Sequence, residues 1–498
     1  MFLESSKKLR LVLSFFLISF AVFVSYNHEF WRDEGHIINM AISLNIKELL
    51  IEARIEGFSP IHQILLKFIY YLSDSKEFSL KVLPIFFYIL TNIVLYRYYE
   101  INNFFFLLFL FSYPIFFEYS IYTKHYGFLI PSIIYLILEK EKKIETLIFN
   151  LIFLCSSGIF GIIISFTYCV ANLNFFLNLF KKKPLLFLTL ILFCVFFSWF
   201  LLPTQDRLWN PLHFPDLKFI FTIVSKLLLS LFYFPGIFST DLNIIGYIVF
   251  AFLTILAIIF IILVLLNILK EKNKLKNLFF YLLTNIFFLI FFLITTHHTW
   301  RHYYFFSFFS FLFALKLISL KPEYSNITSQ KAKLPNYLLK KLLIFFLIIS
   351  CVGNFLISTG DIKYNFSNSK NLSTYLKLKK IDCNKVLSYP GYAVSSWTVY
   401  FNEECKTFFL ENNKIGSFYS LKGIVSLIYQ PDHYFLYFKD LILSSDKNYL
   451  VILCNKNCIE ERKDLLTIFK IKEIDINIFN EPFLNSKIQE KFILAKIY

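Results

Sequence analysis

Lys7-Lys8-Leu9-Arg10 runs directly into LVLSFFLISFAVFVSY at residues 11–26, and Trp31-Arg32-Asp33-Glu34 follows. This junction decides the fold class. An uncharged run of this kind is a membrane-span candidate, since crossing a bilayer takes roughly 20 apolar residues. Cations immediately before it place the N-terminus on the cytoplasmic side. No small-residue cleavage site follows, so the run reads as an anchor and not as a removed signal peptide.

The same pattern repeats outward from the junction. Further candidate spans lie at about 80–98, 103–119, 124–138, 145–157, 159–179, 185–202, 244–268, 278–296, 303–319 and 342–358. Of 498 residues, 57% are hydrophobic and only 17% charged, and mean hydropathy is +0.60. A soluble domain is about 25% charged, so a cytosolic enzyme is excluded. The 66 Phe and 31 Tyr read mainly as lipid-facing bulk and interfacial rings. No glycine-rich phosphate loop, nucleophile elbow or HExxH is present, which argues against an ATP-driven machine.

A net charge of +16 first raises the question of nucleic acid. The basic residues instead sit in clusters between apolar runs: Arg97, Lys140/Lys142/Lys143, Lys181–Lys183, Lys270–Lys276 and the 316–341 loop. Eleven spans put all of these on one side, provided that 60–72 and 219–238 lie along the outer interface. Segment 27–79, with five basic and eight acidic residues, is then external, as is 360–498. The charge is chiefly an orientation signal, and no nucleic-acid partner is expected.

From about 360 the composition turns polar, with short β-prone runs at Lys385–Tyr389, Thr407–Leu410 and Tyr449–Cys454, a helix at Glu460–Phe469 and a strand near Lys472–Ile476. The expectation is a small α/β domain at 360–498 outside the membrane, following a membrane module at 1–359. An oxidising compartment allows the pairs Cys383–Cys405 and Cys454–Cys458. Cys155, Cys169, Cys194 and Cys351 lie in apolar spans and read as small core residues.

Four polar clusters fall at the external ends of spans: Trp31-Arg32-Asp33-Glu34; Glu56-Gly57-Phe58-Ser59-Pro60-Ile61-His62; Glu118 to Tyr126; and His297 to Tyr304. Asp33-Glu34 reads either as a solvated acidic pair or as a general base, because partial desolvation raises a carboxylate's basicity. Lys124 and Arg301 are either snorkelling cations or a clamp on a phosphate. A metal held by His297, His298 and His302 would need a carboxylate such as Asp33, so the cofactor is left unknown, with a divalent metal as the open candidate.

The order of these elements resembles the GT-C class of integral-membrane glycosyltransferases, in the branch of protein O-mannosyltransferases and lipid A aminoarabinose transferases. Asp33-Glu34 stands where members carry an acidic pair in the first external loop. Gly57-Phe58-Ser59-Pro60 is similar to a Gly-x-Pro-Pro segment with one Pro missing. Tyr119-Ser120 to Lys124-His125-Tyr126 is similar to Tyr-Ser-x-x-x-Arg-x-Tyr with Lys replacing Arg. Arg301-His302-Tyr303 is similar to a late Arg-Tyr with one inserted residue.

The resemblance implies a GT-C-like polytopic helical membrane enzyme with a polyprenyl-phosphate-linked sugar donor and a glycan, lipid or protein acceptor; with no retention signal visible and a tail without the soluble modules common in eukaryotic relatives, a bacterial inner membrane is the expected location. It implies Asp33 as base and Glu34 beside it. It assigns Lys124, Arg301, Arg32, Tyr126 and Tyr303 to the donor phosphate, and Glu56, His62, Glu118 and His302 to the acceptor or to supporting roles. Helices over 36–52 and 60–72 would lie flat on the outer interface. The rival expectations are a flippase or permease for a lipid-linked saccharide, and a non-catalytic envelope scaffold.

Overall fold

The computed structural model describes residues 2–30, 32–56, 59–98, 101–123, 125–139, 143–201, 216–232, 244–271, 273–294, 300–319, 330–363, 369–389, 393–401, 405–409, 414–416, 449–454, 474–478 and 491–496. The chain forms two compact units. The first comprises Met1–Val22, Pro84–Leu201 and Asn210–Ile357, and the second Phe23–Leu83, Leu202–Trp209 and Ser358–Tyr498.

Helices dominate. They are α1 (Phe2–Asn27), α2 (Arg32–Ser43), α3 (Ile46–Glu56), α4 (Pro60–Ser73), α5 (Lys76–Tyr96), α6 (Asn103–Leu110), α7 (Leu129–Leu138), α8 (Ile144–Ser156), α9 (Ile159–Ala171), α10 (Leu173–Lys182), α11 (Pro184–Leu201), α12 (Leu217–Leu229), α13 (Ile244–Ile268), α14 (Lys274–Ile294), α15 (Trp300–Ser319), α16 (Gln330–Lys363), α17 (Ser369–Leu378) and α18 (Val394–Thr398).

Among the described residues five helical stretches are long and apolar enough to cross a membrane: Lys7–Asn27, Lys76–Tyr96, Ala251–Ile268, Lys274–Ile294 and Pro335–Lys363. A sixth arises if α9 and α10 count as one span. Every apolar run read from the sequence contains helix, but α7, α8, α11 and the apolar part of α15 are shorter than a full crossing.

Two runs are interrupted. The 103–119 stretch is α6 followed by a π-helical turn at Pro114–Glu118, because Pro114 lacks the N–H that would continue an α-helix. The 159–179 stretch bends by 84° between α9 and α10. There Asn172 turns its side chain back onto the Tyr168 carbonyl at 2.8 Å, and its backbone leaves the helical region. Outward faces are apolar: Leu11, Phe15 and Phe16 on α1, and Leu188, Leu192 and Val195 on α11, are all exposed. Soluble helices present the opposite face to solvent.

The second unit holds a six-stranded mixed sheet of β1 (Val386–Tyr389), β2 (Thr407–Phe409), β3 (Lys414–Gly416), β4 (Tyr449–Cys454), β5 (Ile474–Ile478) and β6 (Lys491–Lys496), in the order β3-β2-β1-β4-β6-β5. β1 is parallel to β2 and β4, with Val386 opposite Tyr449 and Tyr389 opposite Ile452, and the remaining pairs are antiparallel. Val386, Leu387 and Ser388 in β1 are all fully buried, as a strand covered on both faces requires. Leu372, Val394, Trp397, Val451 and Leu494 pack with Cys383–Cys405, a disulfide, in one core. The expected helix at Glu460–Phe469 and Cys458 lie outside the described residues.

The first loop shares this unit with residues 358–498. In place of one helix over 36–52 there are two, α2 and α3. Asn45 forms the break: its Oδ1 accepts from the Glu48 amide at 3.0 Å, and the Asn45 amide donates to Glu48 Oε2 at 3.1 Å. This reciprocal cap starts a new helix.

Candidate functional site

In the second unit, the acidic motif sits on the first turn of α2, where carboxylates are favoured by the helix dipole. Both ends of that helix are fixed. At its C-terminal end the buried ammonium of Lys67, from α4, takes the carbonyls of Ala41 (2.9 Å) and Leu44 (2.5 Å), a cation on the negative end of the dipole. At its N-terminal end Gly35 lets the backbone approach α18: a Cβ there would lie 1.9 Å from the Ser395 carbonyl oxygen. Asn39 Nδ2 adds a hydrogen bond to Thr398 Oγ1 at 2.9 Å.

The two adjacent acids have different surroundings. Glu34 is fully buried, and its Oε2 meets His28 Nε2 at 3.2 Å. The other ring nitrogen, Nδ1, meets Asp361 Oδ2 of α16 at 2.8 Å. Burial alone would pull the His28 imidazole down, but Asp361 and then Glu34 reverse this through charge and hydrogen bonds and raise it to about 10. His28 is therefore a charged bridge between two buried carboxylates. Asp33 stays half-exposed.

A second pair follows one turn on. His36 Nε2 lies 2.6 Å from Glu56 Oε1. Burial opposes its charge, and Glu56, with smaller contributions from Asp33 and Glu52, raises its pKa above the usual imidazole value. His62, on α4, is the opposite case. It is buried, its Nδ1 has no hydrogen-bond partner among the described residues, and burial lowers it to about 3, so it is neutral. The loop is also pinned to the C-terminal region. The Phe30 amide donates to the Tyr400 hydroxyl (2.9 Å) and Ser369 Oγ to the Phe30 carbonyl (3.2 Å). Burial, reinforced by the charge of Glu29, pushes the Tyr400 hydroxyl well above its usual range.

In the first unit, Glu118 closes the π-helical turn, buried, and its Oε2 accepts from the Tyr113 hydroxyl at 3.1 Å. Tyr119 stacks on Phe305 (centroids 5.1 Å apart), and Tyr126 meets the same ring edge-on at 5.0 Å. The stretches 118–126 and 300–305 are thus neighbours. Tyr303 is buried against Phe292 at 4.6 Å. Lys124, His297, His298 and Gly57 lie outside the described residues, as do the side chains of Arg32, Arg301 and His302. Among the described residues, no three His, Cys, Asp or Glu side chains are arranged to hold a metal ion.

The sequence reading singled out Asp33, Glu34, Glu56 and His62, and the second unit contains all four. It missed His28, His36 and Asp361. For His28 and His36 the signal was closeness in sequence to the acid pair. For Asp361 it was an acid at the end of an apolar span, where charge is costly without a partner. What the arrangement offers chemically is one half-exposed carboxylate beside one that is fully buried against His28, the kind of split that lets two acids take different roles. Comparison with protein-family profiles, with curated proteins and with solved structures found no match for this chain.

Proposed function

We propose that the protein is a membrane glycosyltransferase that moves a sugar from a polyprenyl-phosphate-linked donor to an acceptor hydroxyl at the outer face of a bacterial inner membrane. The observation that carries this reading is the contrast between half-exposed Asp33 and the Asp361–His28–Glu34 bridge beside it. A general base must reach its proton, and a neighbour held by a charged imidazole cannot swing in and share it. Asp33 takes the acceptor proton, the acceptor oxygen attacks the anomeric carbon, and the bond to the phosphate breaks with inversion. Glu34 stays ion-paired, and Glu56 and His62 support the acceptor. The cations for the leaving phosphate are Lys124 and Arg301, with Arg32 in reserve, as the sequence resemblance assigns them. Eleven spans, a cytoplasmic N-terminus and an extracytoplasmic α/β region belong to this proposal.

The test is sugar transfer from a polyprenyl-phosphate donor by the membrane-inserted chain. Asp33→Asn, inserted normally, should lose at least about 100-fold in rate, the usual contribution of a positioned base. Full transfer by this variant overturns the base assignment. Absence of transfer by the unmutated chain favours the scaffold or flippase reading.

A further inference from the structure

Two cysteines in the first unit have no part in this chemistry. Cys155, buried near the end of α8, and Cys194, half-buried in α11, place their sulfurs 3.2 Å apart. The approach is built by the helices that carry them. Lys183, the residue preceding α11, pairs with Glu145 in the first turn of α8 at 2.5 Å. Both helices therefore start together and run the same way, and the cysteines follow ten and eleven residues after that pair. α11 packs along α8, and α9 against both.

We propose that Cys155 and Cys194 form a reversible dithiol–disulfide switch, oxidised by a membrane-soluble quinone, that staples α8 to α11. A disulfide needs the sulfurs at about 2.0 Å, so closing the bond takes a shift of roughly one ångström. The two S–H bonds break and the Sγ–Sγ bond forms. Both protons and both electrons pass to the quinone, which leaves as the hydroquinone. The oxidant class follows from the surroundings: Leu192, Val195 and Phe196 expose an apolar face around Cys194, which a lipid-dissolved quinone reaches and a charged water-soluble disulfide does not.

The experiment treats the full-length chain, in lipid vesicles, with a short-chain ubiquinone. Free thiols are then capped with N-ethylmaleimide and the protein digested without reductant. The expected result is joint loss of capping at Cys155 and Cys194, a linked peptide containing both, and recovery with dithiothreitol, while Cys169 and Cys351 stay capped. Glutathione disulfide should leave the pair reduced. Cys194→Ser should keep Cys155 capped after quinone treatment, and the mapping on the unmutated chain decides the matter should that variant fail to insert. A link from Cys169 to either partner, full capping of both cysteines after quinone, or equal oxidation by glutathione disulfide would overturn the proposal.

Discussion

His28 has two carboxylates on its two ring nitrogens and almost no access to water. Removing it leaves Glu34 and Asp361 buried as like charges, and breaking a buried ion pair typically costs 3–5 kcal/mol. His28→Gln should lose about that much at neutral pH, read from unfolding in detergent. The pH dependence has a definite sign. A folded pKa near 10 against an unfolded 6.5 means that the His28 contribution is complete below 6.5 and is lost as pH rises through 10. Wild type should weaken along that alkaline limb, and His28→Gln should flatten it. His62 acts in the reverse direction. Its folded pKa of about 3 against 6.5 makes protonation oppose folding as pH falls below 6.5. His62→Leu should raise the unfolding temperature at pH 5 relative to wild type and change it little at pH 8. The acid pair itself was legible in the sequence. Its division into a half-exposed carboxylate and a fully buried one bridged to His28 was not, because the bridging groups are an unremarked neighbour and a residue 333 positions away.

At the scale of elements, α2 is held by its two termini more than by its length. Gly35→Ala would drive a methyl group into the Ser395 carbonyl and must push α2 from α18, an overpacking cost of about 1–3 kcal/mol or more. Lys67→Met keeps the stem volume but abandons the buried carbonyls of Ala41 and Leu44, at about 1–3 kcal/mol. Both variants should lower the unfolding temperature, with Lys67→Met also freeing the α2 end to hydrogen exchange. Reading one helix through 36–52 failed because the apolar spacing continues across Leu44-Asn45. The Asn45-x-x-Glu48 cap was there to be read and overrides the spacing. The breaks inside the 103–119 and 159–179 candidate spans do not show in their apolar content, which reports burial in lipid and not continuity of a helix. Pro114 and Asn172 were the local signals of a break.

For the molecule as a whole, composition was enough to recognise a helical membrane protein, because lipid selects residues by bulk property. The C-terminal strands β1, β2 and β4 were legible from their own β-prone runs, whereas β3 is a three-residue strand that pairs locally with β2, and β6 owes its place to β4, with Cys454 opposite Lys491 and Tyr449 opposite Lys496. The grouping of residues 23–83 with 358–498 was likewise invisible, since it rests on long-range contacts such as Phe30–Tyr400. Cys383 and Cys405 lie 22 positions apart, so Cys383→Ser together with Cys405→Ser should cost the second unit about 3 kcal/mol. Protease sensitivity of the C-terminal region should increase, while the first unit, assayed by cleavage of its own loops, stays as resistant as before. The His28–Asp361 bridge also imposes a schedule on synthesis. At roughly 5–20 residues per second, the 333 residues between them are made over tens of seconds. Throughout that interval the first loop carries an acid pair whose neutralising circuit is incomplete. The full Asp361–His28–Glu34 bridge can therefore close only once α16 has been made, whereas the His28–Glu34 arm is available as soon as the first loop is.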